Sequence, residues 1–351
     1  MENKKAFSVL EKAVEEKMIP GATAIIGSMN QIKASGAAGQ LTLKGPPVLL
    51  DTIYDCASLT KVVVTLPLIL KLVEEGSLRL EDSVSKFFSQ FKIGRKQDVT
   101  IRQLLTHTSG MKPFVHHEFR GWSRRDIIGY IASQDLDCAP GKEVVYSDLG
   151  FILLGELAAS LFGEPLDHAA HHYIFEPLGM KDSQFNPDGR LMDRIAATEY
   201  RKELGRYQRG EVHDERATAL DGVSGHAGLF STAEDLANYA QAWLNKGHFK
   251  GRFLLSEASV GNAITNQTKT LNGNRGLGWV LKGDAYDVSG AFFSQSSFGH
   301  TGFTGTSIWM DPEKNGFVVL LTNRVHFGRE VSIAALRKNF HDEVALEYFQ
   351  K

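Results

Sequence analysis

The chain has 351 residues, enough for one large domain or two smaller ones, and its 42% apolar and 23% charged content is that of an ordinary globular protein. With 39 basic against 41 acidic residues, a net charge near −2 and no basic cluster, nothing points to a nucleic-acid partner. The most hydrophobic stretch, 62–73, is interrupted by Pro67 and Lys71 and is too short for a bilayer, so no membrane span is expected.

The first residues lead into a charged amphipathic pattern with Phe7, Leu10, Val14 and Met18 on one side, which predicts a folded helix and not a signal peptide. A cytoplasmic protein is the expectation. Two cysteines, Cys56 and Cys138, fit a reducing compartment, and neither has metal or redox spacing. Residues 21–28 and 32–38 read as strands joined by a Met-Asn turn, and 49–54 leads to the stretch of most interest.

That stretch runs from Asp55 to Leu66. A short β-like run precedes it and a long apolar helix, expected to reach about Glu75 with a bend at Pro67, follows. If the helix starts near Ser58, Lys61 lies one turn on and on the same face, where the two side chains can exchange a proton. A buried amine at a helix N-terminus is expected to titrate toward neutrality and so to act as a base. The free N–H of Ser58 supplies half an oxyanion hole. Ser83-Lys86, Ser89-Lys92 and Ser109-Lys112 share the spacing, but the first two lie on polar segments, and Gly110 and Pro113 disrupt the third.

From there to about Leu220 the pattern is mainly helical, with a capping box at Thr100–Gln103 and helical runs over 101–106, 123–133, 149–161 and 168–173. Thr232 heads a further helix with Leu236, Tyr239, Ala240 and Trp243 on one face. Strand signals return over 278–281, 298–301, 307–311 and 317–322, and a last helix spans about 331–349. The predicted fold class is α/β (α+β): an antiparallel sheet built from both termini and flanked by helices, with an inserted mainly helical region. The expected division is 1–66 with 222–351 as the sheet domain and 67–221 as the helical one, with the active site between them.

Two other stretches look chemical. Tyr146 and Asp148 sit on a turn before the helix at Leu149, where alternation puts both side chains on one side. His300-Thr301-Gly302 is a strand of small residues that a ligand backbone can approach.

Together, Ser58-Leu59-Thr60-Lys61, Tyr146-Ser147-Asp148 and His300-Thr301-Gly302 resemble the three signature elements of the serine β-lactamase and penicillin-binding protein superfamily, most closely its class C β-lactamase and esterase-like branch. The segments 104–110 and 225–232 are also similar to stretches of that branch, and the resemblance covers about 19–322. It implies Ser58 as nucleophile, Lys61 as its partner in proton transfer and Tyr146 as second base and later acid. It further implies the backbone N–H of Phe303 as second oxyanion donor, and Thr301 as a hydrogen-bonding partner of a substrate carboxylate or carbonyl. Two departures stand out. His300 replaces the usual lysine, making a fixed charge a titrating one, and Asp148 replaces an asparagine, removing an amide donor.

The other histidines read as structural. His168, His171 and His172 share a helical spacing but lack a metalloprotease pattern, and a solvated helix face is the preferred reading over a metal site. His107 and His226 read as buried supports. The expected function is therefore a cofactor-free, metal-free serine hydrolase forming an acyl-enzyme on an ester or amide, of carboxylesterase, D-amino-acid peptidase or muropeptide amidase type, with little or no β-lactamase activity. The expected partner is a small acyl, peptide or cell-wall-fragment substrate, and the sequence does not indicate an oligomeric state. The alternative is a non-catalytic sensor of peptide or cell-wall fragments.

Overall fold

The computed structural model describes residues 5–349. Its main sheet has six antiparallel strands: β1 (Gly21–Gly27), β2 (Ile32–Gly39), β3 (Val280–Leu281), β4 (Phe298–Thr301), β5 (Ser307–Asp311) and β6 (Gly316–Thr322), in the spatial order β3-β4-β5-β6-β1-β2. The first strand pairs with the last, Ala22 opposite Thr322 through Gly27 opposite Phe317. Both ends of the chain thus build the sheet, as the sequence predicts.

Period-two alternation sorts the strand side chains into two cores. Ala22, Ala24, Ile26, Trp309, Val318 and Leu320 face helices α1 (Lys5–Glu15) and α5 (Ala334–Tyr348). Ile25, Ile308, Met310, Val319 and Leu321 face the other way, onto a large core shared with α2 (Leu66–Glu74), α3 (Asp148–Phe162) and α4 (Ala233–Leu244). Burial on both faces explains why β1 and β6 read as near-continuous apolar runs. In α1 the deeply buried residues are Ala6, Leu10 and Ala13, with Phe7, Val14 and Met18 half-buried around them.

The region between is mainly helical up to Leu178 and then irregular, with a small sheet in which Leu229–Ser231 lies between Tyr54–Asp55 and Gln184–Phe185. The Thr100–Gln103 capping box forms with both of its hydrogen bonds. The helix after Ser58 departs from expectation. It starts at Leu59, but a π-turn, Lys61–Thr65, interrupts it before the regular α-helix resumes at Leu66, one residue before Pro67. A second π-turn, His171–Phe175, ends two residues before Pro177 in the same way. A proline ring crowds the carbonyl four residues earlier, and widening that turn relieves the clash. No single helix among the described residues is long and apolar enough to cross a membrane.

Candidate active site

Ser58 sits in the tight turn between Tyr54–Asp55 and the helix that begins at Leu59, close to the expected helix start. Ala57 takes φ = 45°, and the N–H groups of Leu59, Thr60 and Lys61 donate to the carbonyls of Cys56, Ala57 and Ser58 at 3.0, 3.0 and 3.1 Å. Buried Asp55 fixes this turn. Its carboxylate accepts the N–H of Ala57 at 2.8 Å and of His213 at 2.7 Å, and its carbonyl accepts the Thr304 hydroxyl at 2.8 Å. The N–H of Ser58 donates to no protein acceptor among the described residues, which leaves it available to an incoming oxyanion.

Lys61 is fully buried; it donates hydrogen bonds to Ser58 Oγ at 3.1 Å and to the His226 carbonyl at 3.0 Å and forms an ion pair with Asp148 Oδ1 at 2.8 Å. Burial pulls the Lys61 pKa down, but the Asp148 carboxylate and then the Tyr146 phenol outweigh it, and the net is above the ordinary lysine value. The expectation of a neutral lysine is therefore corrected. Burial acts as anticipated, but the carboxylate of Asp148 holds the proton on.

Asp148 opens α3, where the first-turn amides favour a negative charge, with Ser147 as N-cap. Burial raises its pKa, yet Lys61 and His226 and, further down, Arg216 bring it below the usual carboxylate value. Tyr146 lies on the same side as Asp148, as alternation predicts, with Lys61 Nζ 5.0 Å from its ring centroid. Buried His107 orders this turn: its Nδ1 accepts the Ser147 N–H at 3.0 Å, and its ring packs against Tyr146, 4.5 Å between centroids and tilted by 34°. His226 presents its carbonyl to Lys61 because its loop lies tight against α3, where a Cβ on Gly155 would come 2.6 Å from Gly225 Cα.

The third stretch arrives on β4. His300 is 2% exposed, donates from Nδ1 to the Thr301 carbonyl at 2.9 Å, and is held by burial, Lys61 and Arg275 well below the ordinary histidine pKa. It is uncharged at neutral pH. Gly302 packs against the nucleophile turn, where a Cβ would meet Thr306 Oγ1 at 2.1 Å and the Cys56 carbonyl at 2.5 Å. Thr306 Oγ1 donates to that same carbonyl at 3.1 Å. Phe303, 47% exposed, follows with its N–H free of protein acceptors among the described residues.

Two cavities meet here. One, of about 230 Å³, is lined by Ser58, Tyr146, His300, Thr301, Gly302 and Phe303, and three arginines, Arg275, Arg324 and Arg337. The other, of about 750 Å³, shares Ser58, Tyr146 and Phe303 and extends past Asp148 and Arg216 to the loop of Phe114, His116 and His117. All eight residues singled out in the sequence lie at this junction or directly behind it.

Several site residues lie outside those stretches. Arg216 bridges Asp148 at 3.0 Å and Asp214 at 2.9 Å, and Asp214 in turn meets His226 Nε2 at 2.9 Å. Asp148, Asp214 and His226 offer ligand atoms within 4.8 Å of one another, but Arg216 and Lys61 already occupy the carboxylates, so the set reads as an ion network rather than a metal centre. The Asp214-Glu215-Arg216 helix start is the one signal that could have drawn attention to it. Arg275 and Arg337 carry no such signal. His172, set aside above, pairs with Glu164 at 3.0 Å, and both cysteines are free thiols.

The Beta-lactamase family model matches residues 7–341. The chain is 34% identical over 349 residues to a protein named "Putative D-alanyl-D-alanine carboxypeptidase" from Escherichia coli O157:H7, covering 88% of this chain and 79% of that one. It is 31% identical over 353 residues to the N-acetylmuramyl-L-alanine amidase of Bacillus subtilis strain 168, covering 88% and 78%. A class C β-lactamase structure from Rhodobacter sphaeroides superposes with a TM-score of 0.78 over 99% of this chain and 100% of that one, at 19% identity, and so speaks for the fold alone. Family model, relatives and fold agree, and the chain belongs to the β-lactamase family, within the serine β-lactamase and penicillin-binding protein superfamily.

Proposed function

We propose that the protein is a serine hydrolase that cleaves an amide or ester through an acyl-enzyme on Ser58. The observation that carries this reading is the 3.1 Å hydrogen bond from Lys61 to Ser58 Oγ at the edge of a cavity, with two unengaged backbone N–H groups, on Ser58 and Phe303, close by in the chain's packing. With the Asp148 carboxylate holding its proton on, Lys61 acts first as a fixed positive charge that stabilises the serine alkoxide as it forms. Tyr146, which lines the cavity with Ser58, then takes the serine proton and returns it to the departing amine or alcohol. In the second half Tyr146 takes a proton from water, which attacks the ester carbonyl of the acyl-enzyme, and hands that proton to Ser58 Oγ as the acid departs.

The relatives' names, a carboxypeptidase and a muramyl-alanine amidase, favour amides of cell-wall peptides as natural substrates. With His300 uncharged and Asp148 in place of an amide donor, turnover of β-lactams is expected to be weak. Rapid mixing with p-nitrophenyl acetate tests the scheme. A burst of nitrophenol matching the enzyme concentration and an acetyl adduct on Ser58 by intact mass are expected, both absent in Ser58→Ala. Turnover retained in Ser58→Ala would sink the proposal.

A further inference from the structure

Besides Ser58, Lys61 meets the Asp148 carboxylate and the His226 carbonyl, which arrive on separate elements, α3 and the loop before Leu229–Ser231. Both lead back to one side chain. Asp148 Oδ2 accepts from Arg216 Nη2 at 3.0 Å, and the same nitrogen donates to Asp214 Oδ2 at 2.9 Å. On the other side, His226 Nε2 lies 2.9 Å from Asp214 Oδ1. An ionised carboxylate only accepts, so Nε2 carries the proton, and Nδ1 faces Ser224 Oγ at 2.9 Å. Lys61, Asp148, Arg216, Asp214 and His226 thus form a closed circuit.

Asp214 is itself firmly placed. It caps the short helix Glu215–Ala219, its Oδ1 accepting the N–H groups of Arg216 and Ala217, each at 2.9 Å. Burial raises its pKa, but His226, then Arg216 and the Ala217 N–H, outweigh burial and hold the carboxyl well below the usual carboxylate range. The Phe114 ring, 5.5 Å from the Arg216 guanidinium, confines the link between the two carboxylates. Two cations, Lys61 and Arg216, alternate with two anions, Asp148 and Asp214, so the loss of any one leaves an unbalanced charge beside the nucleophile.

We propose that Asp214 is a positioning residue for acylation: through Arg216 and His226 it fixes both the Asp148 carboxylate and the residue-226 carbonyl, and so aims the Lys61 amine at Ser58 Oγ. This rests on the serine-hydrolase reading and adds to it a residue from none of the three signature stretches.

Asp214→Asn is the informative change. The amide oxygen still caps the helix and accepts from His226, while its NH2 group faces Arg216 Nη2, another donor. The variant breaks that link and leaves a surplus positive charge, which favours loss of the Lys61 proton. Arg216→Gln breaks the same link but leaves a surplus negative charge, which favours keeping it. The other titratable or charged groups facing Lys61 are Tyr146, His107 and His300, with Arg275 beyond Tyr146, and both variants leave them in place.

Because Asp214 also borders the larger cavity, the probe is the small ester p-nitrophenyl acetate, with burst rates followed from about pH 7 to 10.5 against a Ser58→Ala blank. At pH 7 both variants should acylate about 10- to 100-fold more slowly than the wild type. The alkaline fall in rate should come about one pH unit earlier in Asp214→Asn, and no earlier than in the wild type in Arg216→Gln. Unchanged rates at pH 7, or alkaline falls that move together in the two variants, would overturn the inference. Absence of a wild-type burst would remove the hydrolase reading instead, and urea unfolding would then decide on the circuit. The stability gap between wild type and Asp214→Asn should shrink as pH rises and that of Arg216→Gln should not, and two constant gaps would remove it.

Discussion

Asp148→Asn probes the site most directly, because it swaps a charge for an amide of the same shape. The carboxylate lies 2.8 Å from Lys61 and 3.0 Å from Arg216. At an effective dielectric of ~20 the first contact alone has a gross attraction of about 6 kcal/mol, largely offset by desolvation of the two ions. Removing one partner of a buried pair costs ~3–5 kcal/mol, and since the asparagine oxygen still accepts from Lys61 we expect about 3 kcal/mol. At ~2 °C per kcal/mol for a chain this long, Tm should fall by roughly 6 °C.

The pH dependence is the sharper readout. In the wild type the Lys61 pKa is raised above its unfolded value, so its contribution is complete below the ordinary lysine pKa and is lost only as pH rises through the higher folded one. That of Asp148 is lowered, so its contribution is present above the ordinary carboxylate pKa and is lost as pH falls through the depressed one. Between about pH 5 and 9 the pair's contribution is flat. In Asp148→Asn, burial, the largest influence on Lys61, is opposed only by Tyr146, and the amine's pKa drops below its unfolded value. The unfolded chain then binds more protons than the folded one, and stability rises with pH. Thermal melts of both proteins from about pH 6 to 10 should show the gap closing toward alkaline pH. A gap that stays constant across that range would refute the assignment of a charged Lys61 held by Asp148.

Three further predictions follow from the same geometry. Gly302→Ala forces a Cβ onto the Cys56 carbonyl and Thr306, so it should lower kcat/KM on a neutral ester by ~100-fold through displacement of the Ser58 turn, with a loss of only ~1–3 kcal/mol in urea unfolding. His300→Gln should leave the shape of the kcat/KM profile unchanged between about pH 6 and 8, since a histidine held well below its ordinary pKa has already lost its proton there. A wild-type inflection in that range that vanishes in the variant would contradict this. Thr304→Val removes the hydroxyl that ties the β4–β5 loop to Asp55 and should cost about 1 kcal/mol by denaturant melts, with a larger proportional loss of acylation rate.

The parts of the site that could be read from sequence are those in which neighbours along the chain are neighbours in space. Ser58 and Lys61 are three apart on one turn, and Tyr146 and Asp148 are two apart before a helix, so local spacing suffices to put each pair on one side. The sheet was readable for a similar reason, because buried strands leave long apolar runs between turns. What escaped depends on distance. The protonation of Lys61 turns on a carboxylate 87 positions away, and the arginines at 275 and 337 reach the cavity as single residues on unrelated elements. The π-turn escaped as well. Pro67 suggested a bend, but the backbone answered the missing donor by widening the turn ahead of it.

The pairing of the first strand with the last has a consequence for biosynthesis. After residue 27 has been made, β1 waits for 316–322 before its second edge is covered. At ~5–20 residues per second that delay is about 15–60 s, during which an apolar hairpin edge is open to other nascent chains. Ribosome-associated chaperoning should therefore matter more for yield than the stability of the finished molecule, and premature termination ahead of Gly316 should produce insoluble product.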